Sequence, residues 1–472
     1  MIGREREIEE LERAYASNES EFVAVYGRRR VGKTYLVRET FRDRFVFHHT
    51  GVAKAVRAVQ LKKFRQSILD CGGSIDKTLK DWFDAFEALK SLIAASPLEK
   101  KVVFIDEMPW MDTQRSDFIT ALEAFWNGWA SARNDILFIV CGSAASWIVK
   151  KLFRNHGGLH NRVTFRIALS PFTLRECELY AESQGLKMSR SDIVEAYMAF
   201  GGIPYYWKYL DRRFSLAQNI DRMCFEENAP LRYEYDELYS SLFGASELYK
   251  TIVRSLACTK AGMTRWEICR NSGLEDSGVL SQALEVLVQC GFIREYHAPG
   301  NRRKNSIFQL VDSFTLFHFR FLDGKGQIDP RYWSTTIDSP AMNSWRGIAF
   351  ERVCLMHYDQ IRTALGIAGV HAELYAWSHR PDAESPDGAQ IDMVIDRSDR
   401  VVNVCEIKYS REEYKIGKAY HSELMKKIAV FKAVEKLKKA IHLTLITAGG
   451  LYRNEYWNSV QSEVTLADLF GR

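Results

Sequence analysis

The chain has 472 residues, 46% of them hydrophobic and 26% charged, with a formal net charge of +5. This composition points to a globular protein of about three domains and excludes a disordered or fibrous chain, while the mild basicity permits nucleic-acid contact without demanding it. No run approaches the roughly eighteen apolar residues of a membrane span, Met1–Arg6 reads as charged helix, and the nine cysteines are scattered without a C-x-x-C pair, so a cytoplasmic protein with no membrane contact, disulfide framework or zinc site is expected.

From residue 1 to about 171 strand and helix patterns alternate, which predicts an α/β unit with a parallel sheet covered on both faces. Strands are expected near 21–26, 44–49, 101–106, 136–142 and 163–168. The first runs into Gly27-Arg28-Arg29-Arg30-Val31-Gly32-Lys33-Thr34, a full G-x-x-x-x-G-K-[ST] phosphate loop, and a helical pattern follows from Tyr35 to Phe41. Gly27 and Gly32 let the backbone turn its N–H groups toward phosphate oxygens, and the next helix adds its N-terminal dipole. Lys33 is expected to reach the β- and γ-phosphates, and Thr34 to ligate Mg²⁺. The chain is thus expected to bind ATP or a related nucleoside triphosphate.

The strand Val102–Ile105 ends in Asp106-Glu107. Asp106 has the Walker-B position for Mg²⁺, and Glu107 could orient and deprotonate the attacking water. The strand at 136–142 ends at Ser143, which could contact the γ-phosphate or the water, or could equally be the N-cap of the next helix.

After Ser170-Pro171 the pattern is helical to about 243, interrupted by Gly201-Gly202-Ile203-Pro204, and a helical lid is expected over 172–243. Residues 244–312 look like a winged helix: helical patterns near 246–258, 264–271 and 277–289, then strands at 292–296 and 307–311. The third helix carries no Arg or Lys before Glu285, so the charge for DNA lies only in the wing tip, at Arg302, Arg303 and Lys304. A protein-facing winged helix stays open beside DNA contact.

A mixed α/β pattern returns over 313–472, with strands near 372–377, 390–396, 400–406 and 441–446. If 396 pairs with 400 across a hairpin, 392 opposes 404, and Asp392, Glu406 and Lys408 share a face. Two carboxylates so placed can share Mg²⁺ while the ammonium steadies a water or a phosphoryl group; a strand-end salt bridge between Glu406 and Lys408 is the plainer alternative.

Together these motifs resemble the archaeal-type ATPases of the STAND and AAA+-like group. The likeness includes Ile2-Gly3-Arg4-Glu5-Arg6-Glu7, similar to an h-G-R-x-x-E element, and so implies that Gly3 and Arg4 lie beside the nucleotide base. It makes Ser143 a sensor 1 candidate. It extends to Gly202-Ile203-Pro204, implying a lid contact through Pro204, and to Gly157–Phe172, making Arg162 a candidate γ-phosphate sensor, although a surface arginine at a strand start fits as well. The last segment resembles restriction-endonuclease-like domains of the PD-(D/E)xK type, with Asp392, Glu406 and Lys408 at the metal and catalytic positions and Glu351 as the helix glutamate. Ile391 stands where the motif has Pro. The resemblance implies a Mg²⁺-dependent ATPase gating a nuclease-like effector that acts on DNA, or a STAND-type switch with a silent scaffold. The expected partners are ATP, then DNA through the wing and the last domain, or a protein or second copy of the chain.

Overall fold

The computed structural model describes residues 1–143, 145–154, 157–243, 247–297, 306–324, 329–381 and 387–471. The chain forms two compact units, Met1–Pro171 and Phe172–Arg472.

In the first unit, β1 (Glu21–Tyr26), β2 (Phe45–Thr50), β3 (Lys101–Asp106), β4 (Ile136–Gly142) and β5 (Phe165–Ala168) form one sheet in the order β2-β3-β4-β1-β5. Every neighbouring pair is parallel. Successive side chains leave a strand on opposite faces, yet Phe22, Val23, Ala24 and Val25 are all fully buried, so both faces of the sheet are covered. On one face Phe22, Phe138, Phe125 and Trp126 pack with Phe86 and Trp82 from the helices Trp82–Ala95 and Phe118–Gly128. Each such side chain contributes roughly 1.5–3 kcal/mol on burial. The order carries function. β4 lies between β1 and β3, so the segments leaving the carboxyl ends of all three emerge side by side.

The second unit contains the three later segments packed together. Residues 172–243, expected as a lid, belong to this unit: Glu195 on the helix Arg190–Phe200 accepts from Arg346 Nη2 at 2.8 Å, and Arg346 lies on the helix Pro340–Met356. Over 244–312 the helices are Glu247–Ala257, Arg265–Ser272 and Gly278–Gln289. The strands are β6 (Met263–Thr264), β7 (Ile293–Tyr296) and β8 (Ile307–Leu310), antiparallel in the order β6-β8-β7. The two-residue β6 was not expected. Arg302, Arg303 and Lys304 lie outside the described residues.

The last segment is a five-stranded mixed sheet, β13-β12-β11-β10-β9, made of β9 (Ala372–His379), β10 (Ala389–Arg397), β11 (Val401–Lys408), β12 (Ala440–Thr447) and β13 (Ser462–Thr465). The helix Lys418–Val434 packs on it, burying Phe431 with Trp377, Val394 and Val404. The hairpin register differs from the expected one by two residues: Asp396 pairs with Val402 and Val394 with Val404. The connection Ser398–Arg400 has three residues, the same number that the expected pairing of 396 with 400 encloses. It begins one residue later, however, and is closed by Arg400 in the left-handed region at φ 70°, and that displacement by one residue moves the register by two. A shift of two keeps each side chain on its face, so the shared face of Asp392 and Glu406 survives the correction. Among the described residues no helix is long and apolar enough to cross a membrane.

Candidate functional site

The first site forms where β1, β3 and β4 end. Gly27 leaves β1 at φ 140°, and a Cβ there would sit 2.3 Å from the Leu169 carbonyl oxygen, so only glycine fits. Gly32, at φ 95°, turns the chain into the helix Lys33–Phe41. Lys33 is buried, and its Nζ donates to the carbonyls of Gly27 (3.0 Å) and Arg28 (2.8 Å), which centres the ammonium inside the loop. Arg28 and Val31 are buried, Arg29 and Arg30 half-buried. Arg4 is buried too, but its guanidinium donates to the carbonyls of Val31 (3.4 Å) and Ser170 (2.8 Å). It therefore braces the loop backbone, and Gly3, at φ 61°, turns the chain toward it.

Thr34 Oγ1 donates to Asp106 Oδ2 at 2.8 Å, so the two oxygens proposed for Mg²⁺ are neighbours across β1 and β3. Hydroxyl and carboxylate oxygens are the hard donors this ion takes, and the pair fits it. Burial, then the Asp106 charge, push the Cys141 thiol well up, so it stays protonated and donates to Asp106 Oδ1 at 2.9 Å. Glu107 sits in the left-handed region at φ 47°. Its Oε2 accepts from Ser143 Oγ at 2.9 Å and Ser143 N at 3.2 Å. Lys33, Thr34, Asp106, Glu107 and Ser143 are thus gathered at one edge of the sheet.

Arg162 is not among them. It is exposed and precedes β5, whose Phe165 pairs with Val23, while Thr164 bonds to Phe22. Thr164, level with Phe22, already lies five positions short of Gly27, on the order of 16 Å at about 3.3 Å per residue, and Arg162 precedes it, toward the opposite edge of the sheet. The γ-phosphate sensor expected there does not fit that placement. Pro204 opens the short helix Pro204–Trp207 of the second unit, where Gly202 packs so tightly that a Cβ would meet the Phe172 carbonyl oxygen at 1.8 Å.

The second site is a cleft of about 510 Å³ whose lining includes Asp392, Glu406, Lys408, Lys260 and Lys427. The structure brings the three expected residues together and adds lysines the sequence did not suggest. Glu406 accepts from Tyr420 Oη at 2.6 Å, pairs with Lys408 Nζ at 2.9 Å and with Lys427 Nζ at 3.2 Å. Burial alone would raise its carboxyl, but Lys408 and Lys427 hold it below the usual range. Glu351 is buried against Lys260, whose Nζ also lies 3.3 Å from Asp392 Oδ2. Burial and the Asp392 charge push Glu351 up to about 7 against the pull of Lys260.

These carboxylates offer the oxygen donors of a Mg²⁺ site, and Glu351 Oε2 is buried with no hydrogen-bond partner, which leaves one donor to spare. Yet among the described residues no three His, Cys, Asp or Glu side chains are grouped to hold a metal. Ammonium groups stand between Glu351, Asp392 and Glu406 instead. Tyr420 and Lys427 were legible in principle, seven residues apart on one helix and so two turns along one face. Nothing in the sequence announced Lys260, which reaches Asp392 from 132 positions away.

Residues 1–210 match the model of an ATPase domain predominantly from Archaea. An uncharacterised protein of Methanocaldococcus jannaschii is 24% identical over 440 residues, 90% of this chain and 91% of that one. Among solved structures, the chain is similar to a Walker-type ATPase of Pyrococcus abyssi (18% identity, TM-score 0.48, covering 68% of this chain and 96% of that one). It is also similar to the ORC2 protein of Aeropyrum pernix (14% identity, TM-score 0.43, covering 68% and 93%). A STAND protein with a tetratricopeptide repeat sensor from Pyrococcus horikoshii matches at 16% identity and TM-score 0.30, covering 77% and 50%.

Proposed function

We propose that this chain is a Mg²⁺-dependent ATPase whose nucleotide cycle governs a C-terminal centre for metal-dependent phosphodiester cleavage of DNA. The observation that carries the ATPase reading is the convergence of Lys33, Thr34, Asp106, Glu107 and Ser143 where β1, β3 and β4 end. Backbone N–H groups of the loop and the Lys33 ammonium bind the triphosphate. Thr34 and Asp106 hold Mg²⁺, which when bound neutralises charge on the phosphate oxygens. Glu107, steadied by Ser143, orients the attacking water and takes its proton.

For the second centre the support is the cleft that holds Asp392, Glu406 and Lys408 together beside Glu351. No three carboxylates are grouped as they stand among the described residues. Glu351 and Asp392, which share the Lys260 ammonium, would therefore hold the metal with water completing its shell, Glu406 lying in the same cleft, and the metal would supply Lewis-acid polarisation of the phosphate. Lys408 steadies the attacking water, and the lysines of the cleft receive the nucleic-acid backbone. We assign residues 244–312 the role of a winged helix whose contact with DNA is through phosphate. A second reading, an ATP-controlled switch with a silent C-terminal scaffold, is favoured by one fact: each carboxylate of the cleft already has an ammonium partner.

The test is incubation of the full chain with single- and double-stranded DNA and RNA, with Mg²⁺ or Mn²⁺, with and without ATP, beside Asp392→Ala. Cleavage of DNA lost in Asp392→Ala, with ATP hydrolysis retained, supports the nuclease. No cleavage under any condition leaves the switch.

A further inference from the structure

Lys260 lies in the connection between the helix Glu247–Ala257 and β6, outside the sheet that carries the carboxylates. Its main chain is fixed. The Lys260 carbonyl accepts from Gln309 Nε2 at 2.6 Å and from Arg352 Nη2, and the next carbonyl, of Ala261, accepts from Tyr296 Oη. From that anchor the side chain crosses to the cleft and sets one ammonium between two carboxylates, in contact with Glu351 Oε1 and 3.3 Å from Asp392 Oδ2.

Two features distinguish this from an ordinary structural ion pair. Glu351 is buried and its second oxygen, Oε2, has no hydrogen-bond partner, so Lys260 satisfies the acidic pair only in part. A buried carboxylate oxygen left without a partner is costly and favours any ligand that completes it. Lys260 itself keeps 37% of its side chain exposed, so the ammonium has a route into solvent that Glu351, at 7%, does not. Glu351 is held by burial, and the cation is the movable member of that pair.

We propose that Lys260 is an internal cation closing the carboxylate centre, and that a divalent ion enters only by displacing its ammonium from Glu351 and Asp392. This rests on the reading of the cleft as a metal-dependent centre and adds its regulation. The lysine's carbonyl is tied both to β8 through Gln309 and, through Arg352, to the helix that carries Glu351, so a partner that moves the segment 244–312 opens the centre by breaking the Arg352 bond and drawing the ammonium away. The closed form lowers the apparent metal affinity by the fraction of molecules in which the carboxylates are free.

The experiment uses the full, nucleotide-free chain with Mn²⁺ as the probe, followed by calorimetry and by the electron paramagnetic resonance of the free ion. The binding counted is the component that Asp392→Ala abolishes. Lys260→Gln and Lys260→Ala should raise the affinity of that component on the order of tenfold, as expected if about nine molecules in ten are closed. In the wild-type protein, saturating Mn²⁺ should increase acetylation of Lys260 by an amine-selective reagent, read by peptide mass spectrometry. This second measurement decides the matter if the variants fail to fold. Equal Mn²⁺ affinity in wild type and variants, or Mn²⁺ binding with unchanged Lys260 reactivity, overturns the blocking role and leaves the metal centre standing. No Mn²⁺ component sensitive to Asp392→Ala in any variant overturns both.

Discussion

Ser143→Ala isolates how Glu107 is held. In the wild-type protein Glu107 Oε2 accepts two hydrogen bonds, from the Ser143 hydroxyl at 2.9 Å and its amide at 3.2 Å. Alanine removes the first and keeps the second. A hydrogen bond to a charged acceptor contributes about 1.5–3 kcal/mol, and with the amide still in place the lower end applies. Glu107 would then point correctly less often, and a barrier raised by about 1.4 kcal/mol slows kcat roughly tenfold. ATP affinity should hardly change, because Ser143→Ala leaves the proposed phosphate contacts, Lys33 and the loop amides, in place. Steady-state phosphate release gives kcat and KM, and a fluorescent ATP analogue gives Kd. Ser143→Thr, which keeps a hydroxyl, should recover most of the rate. If Ser143→Ala lowers thermal stability but leaves kcat intact, the serine serves only the helix that follows. If Ser143→Thr falls as far as alanine, the hydroxyl is not the agent.

Other expectations follow from particular distances. Gly27→Ala forces a Cβ against the Leu169 carbonyl and a side chain onto φ 140°, so denaturant unfolding should show a loss of roughly 2 kcal/mol or more together with weakened ATP binding. His357 is buried with its pKa lowered to about 4 by desolvation, its Nε2 accepting from Leu174 N and its Nδ1 donating to the Val353 carbonyl. The unfolded chain takes up this proton below about 6.5 and the folded chain does not, so stability is complete above that pH and falls toward pH 4, by up to about 3 kcal/mol. Chemical denaturation at pH 7.5 and 4.5 should show a smaller difference for His357→Leu than for the wild type; His318, also lowered to about 4, keeps part of the slope. Replacing Arg302, Arg303 and Lys304 together by alanine should weaken DNA binding and flatten its salt dependence; an unchanged slope would assign the winged segment to protein packing.

The sequence was most readable where one strand or one turn carries the signal. The expected strand ranges in the first unit lie within about two residues of those observed, because both-face burial writes a continuous apolar run such as Ile136–Cys141. The phosphate loop was legible for the same local reason. Short edge elements were not: Met263–Thr264 and Ser462–Thr465 are too brief to show a period. The hairpin register slipped by two because nothing in the polar link 397–400 says at which of its residues the three-residue turn begins. Of the two readings open for Arg162 the structure fits the surface arginine at a strand start, and the sequence could not choose because likeness along a chain does not say at which edge of a sheet a residue lies. Lys260 was illegible altogether, since the contact that defines it joins segments more than ninety residues apart.

The central claim is hydrolysis at the phosphate loop by Glu107, with Mg²⁺ held by Thr34 and Asp106. Its most direct test is phosphate release from ATP by the purified chain, with Mg²⁺ and with excess chelator, for the wild type and Glu107→Gln, alongside ATP binding by both. The account predicts Mg²⁺-dependent turnover by the wild type, and for Glu107→Gln unaltered ATP binding with a chemical step slowed about 10²–10⁴-fold. Equal hydrolysis by the two proteins, or equal turnover in chelator, would contradict it.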